Sequence, residues 1–193
     1  MKGKKLDLPS VAQLEAELEK ENSKKEYNRV LRGTIFALLV VTAAAVIVAV
    51  FMFPVLEIKG GAMTPTLNNG DFVVAFSPSE YKRGDVIAFY YDNALLVKRV
   101  IAVGGDEVDI DEDGNVSVNG QALSEPYVME KARGQCDVSF PYKVPQDEYF
   151  VLGDNRSQSV DSRNTALGAV TQDLIVGKLL LRIWPLTVFG AVK

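Results

Sequence analysis

Ile58-Lys59-Gly60-Gly61-Ala62-Met63-Thr64-Pro65-Thr66-Leu67 separates two unlike parts of the chain. On its N-terminal side, Gly33 to Leu56 contains no charged residue. As a helix these 24 positions span about 36 Å, enough to cross a bilayer core with some tilt. A cleavable signal peptide is the competing reading. Its apolar core would be shorter and nearer the N-terminus, with a small-x-small site after it. Here Val55-Leu56-Glu57-Ile58 follows instead, which favours a retained anchor. Lys24, Lys25, Arg29 and Arg32 precede the run against Glu26 alone, and only Lys59 lies close after it. Positive charge stays in the cytoplasm, so residues 57–193 are expected outside the cell membrane and the N-terminus inside.

Upstream, Met1 to Arg32 is polar and charged. Val11, Leu14 and Leu18, alternating with Glu15, Glu17, Glu19 and Lys20, predict a short amphipathic helix with Ser10 as N-cap and Pro9 outside it. A solvated lead-in to the membrane explains this segment better than a partner-binding helix.

Downstream, short β-branched runs alternate with turn signals. Strands are expected at Phe72–Phe76, Val86–Tyr91, Leu95–Val103, Tyr149–Leu152 and Gly177–Trp184. Val108–Ile110 and Val116–Val118 read as a hairpin about Asp113-Gly114. Thr171–Ile175 is at most a turn of helix. The expected architecture is therefore mainly β, with one N-terminal transmembrane helix (33–56) between a cytoplasmic segment (1–32) and an extracytoplasmic β-rich domain (57–193).

Composition narrows the chemistry. A hydrophobic content of 48% is ample for a core. A net charge of −4 offers no basic face for nucleic acid. The single cysteine, Cys136, excludes an internal disulfide. The absence of histidine rules out Ser-His-Asp and Cys-His arrangements and removes the commonest metal ligand. No metal or cofactor is expected.

Three stretches remain as candidates for chemistry. In the first, Gly60 and Gly61 let a substrate backbone approach closely and Pro65 stiffens the exit; an ordinary turn would look the same. In the second, Lys98 interrupts the apolar strand Leu95–Val103 and shares a face with Leu96 and Val100. A desolvated lysine favours its neutral form and can serve as a general base; an isolated one would snorkel to solvent. The third, Gly153 to Arg163, is dense in hydrogen-bonding side chains after a hydrophobic strand. It could orient other groups, or be a solvated loop with surface ion pairs of little worth.

Together the three stretches resemble type I (leader) signal peptidases, the membrane-anchored serine proteases that use a Ser/Lys dyad. Ala62-Met63-Thr64-Pro65-Thr66-Leu67 stands where the family has Ser-Met-x-Pro-Thr-Leu. Arg83-Gly84-Asp85-Val86, Val97-Lys98-Arg99-Val100 and Gly153-Asp154-Asn155-Arg156 with Ser159, Asp161, Ser162 and Arg163 match the other boxes in order. The resemblance implies that Lys98 is the general base and that Ser159 orients its amine. It implies that Arg99 pairs with Asp154, and Asp161 with Arg163, to fix the last loop. The N–H of Ala62 would serve the oxyanion hole. Gly60 stands where some relatives carry a hydroxyl donor, which leaves more to backbone donors. Small pockets beside Met63 would accept the small residues at −1 and −3 of a signal peptide, so the implied partners are exported precursors and membrane lipid. No oligomeric state is implied.

The departure from the family is Ala62, because a methyl group cannot attack a carbonyl. Thr64 and Thr66 stand two and four residues away and are not expected to align with Lys98. The chain as written is therefore expected to be inactive. Either the family's serine has been deliberately replaced by alanine, as is done to trap substrate, or the chain is a natural pseudoenzyme that binds precursors or assists another protease. Retention of Lys98 and Ser159 favours the former. The self-cleaving repressor peptidases share the Ser/Lys chemistry, but an anchor and an acidic balance argue against them. A non-enzymatic membrane-anchored binding protein is the more serious rival.

Overall fold

The computed structural model describes residues 10–193, and Pro9 with the residues before it lies outside them. Two compact units are present, divided after Phe51. In the first, helix α1 begins at Val11 and continues to Met52 without a break. Ser10 caps it as expected. Its hydroxyl accepts from Gln13 N (3.4 Å), and Gln13 Oε1 accepts from Ser10 N (3.0 Å), a reciprocal capping box. The short amphipathic helix expected near Ser10 is thus the first part of a 42-residue helix. None of its residues is buried, and it is the one helix among the described residues long and apolar enough to cross a membrane. It stops at Met52 because Pro54 has no N–H to offer and restricts Phe53. Val55 and Leu56, the end of the apolar run, form with Glu57 a strand, β1 (Val55–Glu57), rather than part of the expected helix.

The second unit is built on two antiparallel sheets. Its remaining strands are β2 (Phe72–Phe76), β3 (Val86–Tyr91), β4 (Ala94–Val103), β5 (Glu107–Ile110), β6 (Val116–Val118), β7 (Gln121–Ala122), β8 (Tyr142–Lys143), β9 (Glu148–Leu152), β10 (Val170–Thr171), β11 (Ile175–Trp184) and β12 (Gly190–Ala191). The larger sheet runs β1-β2-β11-β3-β4-β9-β10, with β12 added to β11; the smaller runs β7-β6-β5-β8. The long strands coincide with the runs read from sequence. The additional ones have two or three residues each, too short to show alternation.

Local chemistry sets the register. Asp92 and Asn93 both take positive φ, 44° and 59°, so a two-residue turn joins β3 to β4. That turn pairs Tyr91 with Ala94 and, further along, Ile87 with Lys98 and Val86 with Arg99. Leu96 and Val100 pack with Ile87 and Phe89 in one cluster, while Val97 packs with Met63 and Ala88 in another, so the expected alternation along β4 is present. A third cluster fastens the small sheet, through Val108, Ile110, Val116 and Val118, to Ile101, Phe150 and Leu152.

Pairing along β4 changes partner halfway. Ala94–Lys98 pairs with β3 alone, and β9 joins only from Arg99 onward. β1 pairs with β2 alone. Two strand edges are therefore left without partners among the described residues. β11 passes from β3 to β2 at Gly177, where a Cβ would stand 2.8 Å from the Phe76 carbonyl oxygen. Gly177→Ala is expected to push the two strands apart and destabilise this unit by about 1–3 kcal/mol; urea unfolding of the chain in detergent would show it as a lower midpoint at unchanged slope.

Candidate active site

The loop that carries Ala62 leaves β1 and returns to β2 pinned at its base. Ile58 N donates to Asp71 O and Gly70 N donates to Ile58 O, each at 2.8 Å. Met63 and Leu67 are buried in the core beneath. The Gly60 N–H, at φ 83°, donates to Asn69 Oδ1 at 2.9 Å. Ala62 itself is half-buried at the rim, and among the described residues its N–H has no acceptor.

Lys98 is 3% exposed. Its ammonium makes no hydrogen bond or ion pair with the described residues. Burial holds its pKa below the usual lysine value of 10.5; Asp161 opposes that shift and Arg163 adds to it. Lys98 and Ala62 line one groove of about 640 Å³, between Val55–Gly60 and Met63 on one side and Ala94–Val97 on the other. Its walls are the two unpaired strand edges. Most of the lining is apolar; Glu57 and Lys59 are exceptions, and both are exposed.

The third stretch packs against the same loop. Asn155 N donates to Ala62 O at 3.0 Å. Gly153 is the point of closest approach: a Cβ there would lie 2.2 Å from Ser159 Oγ and 2.6 Å from Ala62 O. Only glycine leaves room for the Ser159 side chain beside residue 62. Ser159 is buried, and its hydroxyl is the one buried side-chain polar atom without a partner among the described residues. No hydrogen bond joins it to Lys98. A buried hydroxyl left unpaired costs about 1–3 kcal/mol, so its retention calls for an explanation.

Two ion pairs named from the sequence are present and fully buried. Arg99 forks onto Asp154, Nε to Oδ1 at 2.8 Å and one terminal nitrogen to Oδ2 at 2.7 Å. Arg163 forks onto Asp161 in the same way, at 2.8 and 2.9 Å. Asp161 Oδ2 also accepts from Gly153 N at 3.0 Å, which fixes the glycine beside Ser159. Thr66 Oγ1 donates to Asp154 Oδ2 at 2.5 Å, so the first pair reaches the Ala62 loop as well.

Other members of the site had no sequence signal. Arg156 lies in a matched box, but its buried partner Glu125 is 31 positions away in a segment without periodicity. Tyr127 stacks on Arg99, its ring centroid 3.9 Å from the guanidinium carbon. Burial and the neighbouring Glu125 carboxylate push the Tyr127 phenol up. Cys136, half-buried, donates weakly to Val138 O and makes no hydrogen bond to these side chains.

The family model described as signal peptidase, peptidase S26, matches residues 31–184. The signal peptidase I of Bacillus licheniformis is 34% identical over 154 residues, covering 73% of this chain and 82% of that protein. The signal peptidase IB of Staphylococcus aureus strain COL is 36% identical over 163 residues, covering 74% and 84%. A crystal structure of a signal peptidase I from Enterococcus faecalis V583 aligns at 32% identity with a TM-score of 0.45, over 53% of this chain and 99% of that one. This chain belongs to the signal peptidase family, peptidase S26. The family supplies a serine protease that removes signal peptides.

Two outcomes follow from the buried charges. Asp154→Asn leaves Arg99 buried opposite a neutral group, and is expected to cost roughly 3–5 kcal/mol of stability. Lys98 carries its proton less readily folded than unfolded, so folding is penalised below its folded pKa and relieved as pH rises towards 10.5. Lys98→Met should therefore melt higher than the parent near pH 7, with the gap closing in alkali.

Proposed function

We propose that this chain is a signal-peptidase scaffold that binds the signal peptides of exported precursors and, with alanine at position 62, does not cleave them. The observation that carries this reading is the groove with two unpaired strand edges ending at Ala62 and Lys98. An extended peptide can hydrogen-bond to such edges by strand addition. Its alternate side chains would then turn towards the groove wall near Ile58 and Met63, and acceptance of small residues at −1 and −3 there is part of the proposal.

In this reading Lys98 is the general base. Its depressed pKa keeps a larger share of the amine neutral than an exposed lysine would. With a serine at 62, the amine would take the hydroxyl proton as the oxygen attacks the scissile carbonyl. The resulting ammonium would return that proton to the departing amine of the mature protein. Water would then attack the acyl ester, its proton passing to Lys98 and on to the serine oxygen. The N–H of Ala62, free of any acceptor among the described residues, would receive the oxyanion. Gly60 leaves that position open on its side. Ser159, buried and unpartnered, would orient the lysine amine, and the Arg99–Asp154 and Asp161–Arg163 pairs would hold the frame.

The anchor assignment puts residues 1–32 in the cytoplasm and the apolar part of α1 in the membrane. The span expected at 33–56 ends with the helix at Met52, since Val55 and Leu56 belong to β1 of the outer unit, and the orientation rests on the charge asymmetry about the apolar run. It would put the groove on the outer side of the membrane, the side on which a precursor emerges. The costly features kept without a nucleophile, a buried Lys98 and an unpaired Ser159 hydroxyl, favour a serine replaced by alanine over a natural dead homologue.

The test is cleavage of a precursor with Ala at −1 and −3 by the chain and by Ala62→Ser. Cleavage after −1 is expected from Ala62→Ser alone, rising with pH as Lys98 loses its proton and abolished by Lys98→Ala. Binding by both forms with cleavage by neither would make the chain a pseudoenzyme. Cleavage by the alanine form would overturn the assignment of position 62.

A further inference from the structure

Asn155 grips both carbonyls that flank residue 62. Its backbone N–H donates to Ala62 O at 3.0 Å. Its side-chain Nδ2 donates to Gly61 O at 3.2 Å and reaches Gln158 Oε1 at 3.5 Å. The direction of the amide is fixed from outside, because the Ser157 hydroxyl donates to Asn155 Oδ1 at 3.1 Å. With its oxygen occupied, the amide turns its nitrogen to Gly61.

The Gly61 carbonyl and the Ala62 N–H belong to one planar peptide and point in opposite directions. A donor that fixes the oxygen therefore fixes where the N–H aims. It also draws electron density through the amide, which makes the N–H a stronger donor. An external hold is needed here because Gly60 and Gly61 offer no side-chain barrier to rotation of the backbone. The Gly60 N–H is already committed to Asn69.

We propose that Asn155 is the positioning residue of the oxyanion donor: its side-chain amide holds the Gly61–Ala62 peptide in the orientation that directs the Ala62 N–H into the groove. This rests on the reading of the site given above. Asn155 touches no reacting atom in it and acts through the peptide it holds.

Two measurements test the assignment separately. The first uses the full chain as it stands, labelled with ¹⁵N in detergent micelles. Asn155→Ala and Asn155→Asp should both move the Ala62 amide resonance, and Ser157→Ala should move it less, while core amides such as Leu152 stay put. An Ala62 resonance unmoved in both Asn155 variants overturns the clamp, whatever the activity. The second adds Asn155→Ala or Asn155→Asp to Ala62→Ser. Loss of one oxyanion donor costs about 10²–10³ in kcat, so loss of its aim should cost about tenfold or more. Asn155→Asp, which turns a carboxylate towards Gly61 O, should cost more than Asn155→Ala. KM should stay within about twofold, as expected when an interaction made in the transition state is removed. The pH at half-maximal rate should not move, because Lys98 is untouched. Unchanged kcat, or a loss carried by KM or by a shifted pH profile, overturns the positioning role. If Ala62→Ser does not cut at all but the Ala62 resonance moves, the clamp stands and the catalytic reading fails.

Discussion

The buried Arg99–Asp154 pair is the joint on which the site depends. Arg99 belongs to β4, Asp154 to the loop after β9, and Thr66 brings the Ala62 loop onto the same carboxylate. Three stretches separated by about 30 to 90 positions thus meet at two oxygens. Arg99 also donates to Gly84 O and Lys193 O and stacks on Tyr127, so its guanidinium is satisfied in a place that water does not reach. Desolvating such a pair is expensive, and hydrophobic residues could fill the space at less cost. What they could not supply is direction: a fork-to-fork contact fixes angles as well as distances.

That rigidity bears on the next residue along β4. Lys98 and Arg99 are adjacent cations facing opposite sides of one strand, and among the described residues only Arg99 has a counterion within hydrogen-bonding reach. The same backbone therefore carries one charge that is fully compensated and one that is not. Locking the first in place keeps the second from relaxing towards solvent. An uncompensated lysine is a defect in folding terms, and its presence marks the site more sharply than any favourable contact does.

Much of this was legible in the sequence. Period-two alternation located the long strands and gave Lys98 its face, and the matched boxes named the Arg99–Asp154 and Asp161–Arg163 pairs. What was hidden had physical reasons. Val55 and Leu56 read as the tail of the apolar run because valine and leucine serve a membrane helix and a strand equally well; Pro54 is the residue that divides the two. The lead-in helix looked short because its apolar stripe ends near Leu18, yet its backbone continues into the apolar run. Glu125 and Tyr127 join the site through tertiary contacts that no local pattern encodes. Asn155 was in plain view within a matched box, but its role lies in which carbonyls it reaches, and that is a property of the fold.

The unpaired strand edges have a cost beyond their use. Any exposed edge can recruit another chain, and a groove that is to admit an extended peptide, as proposed above, cannot bury its edges permanently. Here the exposure is limited by local means. β1 has only three residues and follows a proline, so it offers few consecutive hydrogen-bonding groups. Glu57 at its end and Lys59 two residues beyond are exposed and charged, and charged side chains are one of the means by which edge strands discourage pairing. A single flexible strand could enter between the walls of the groove, whereas a preformed sheet edge from a second molecule would meet those charges before it met the backbone.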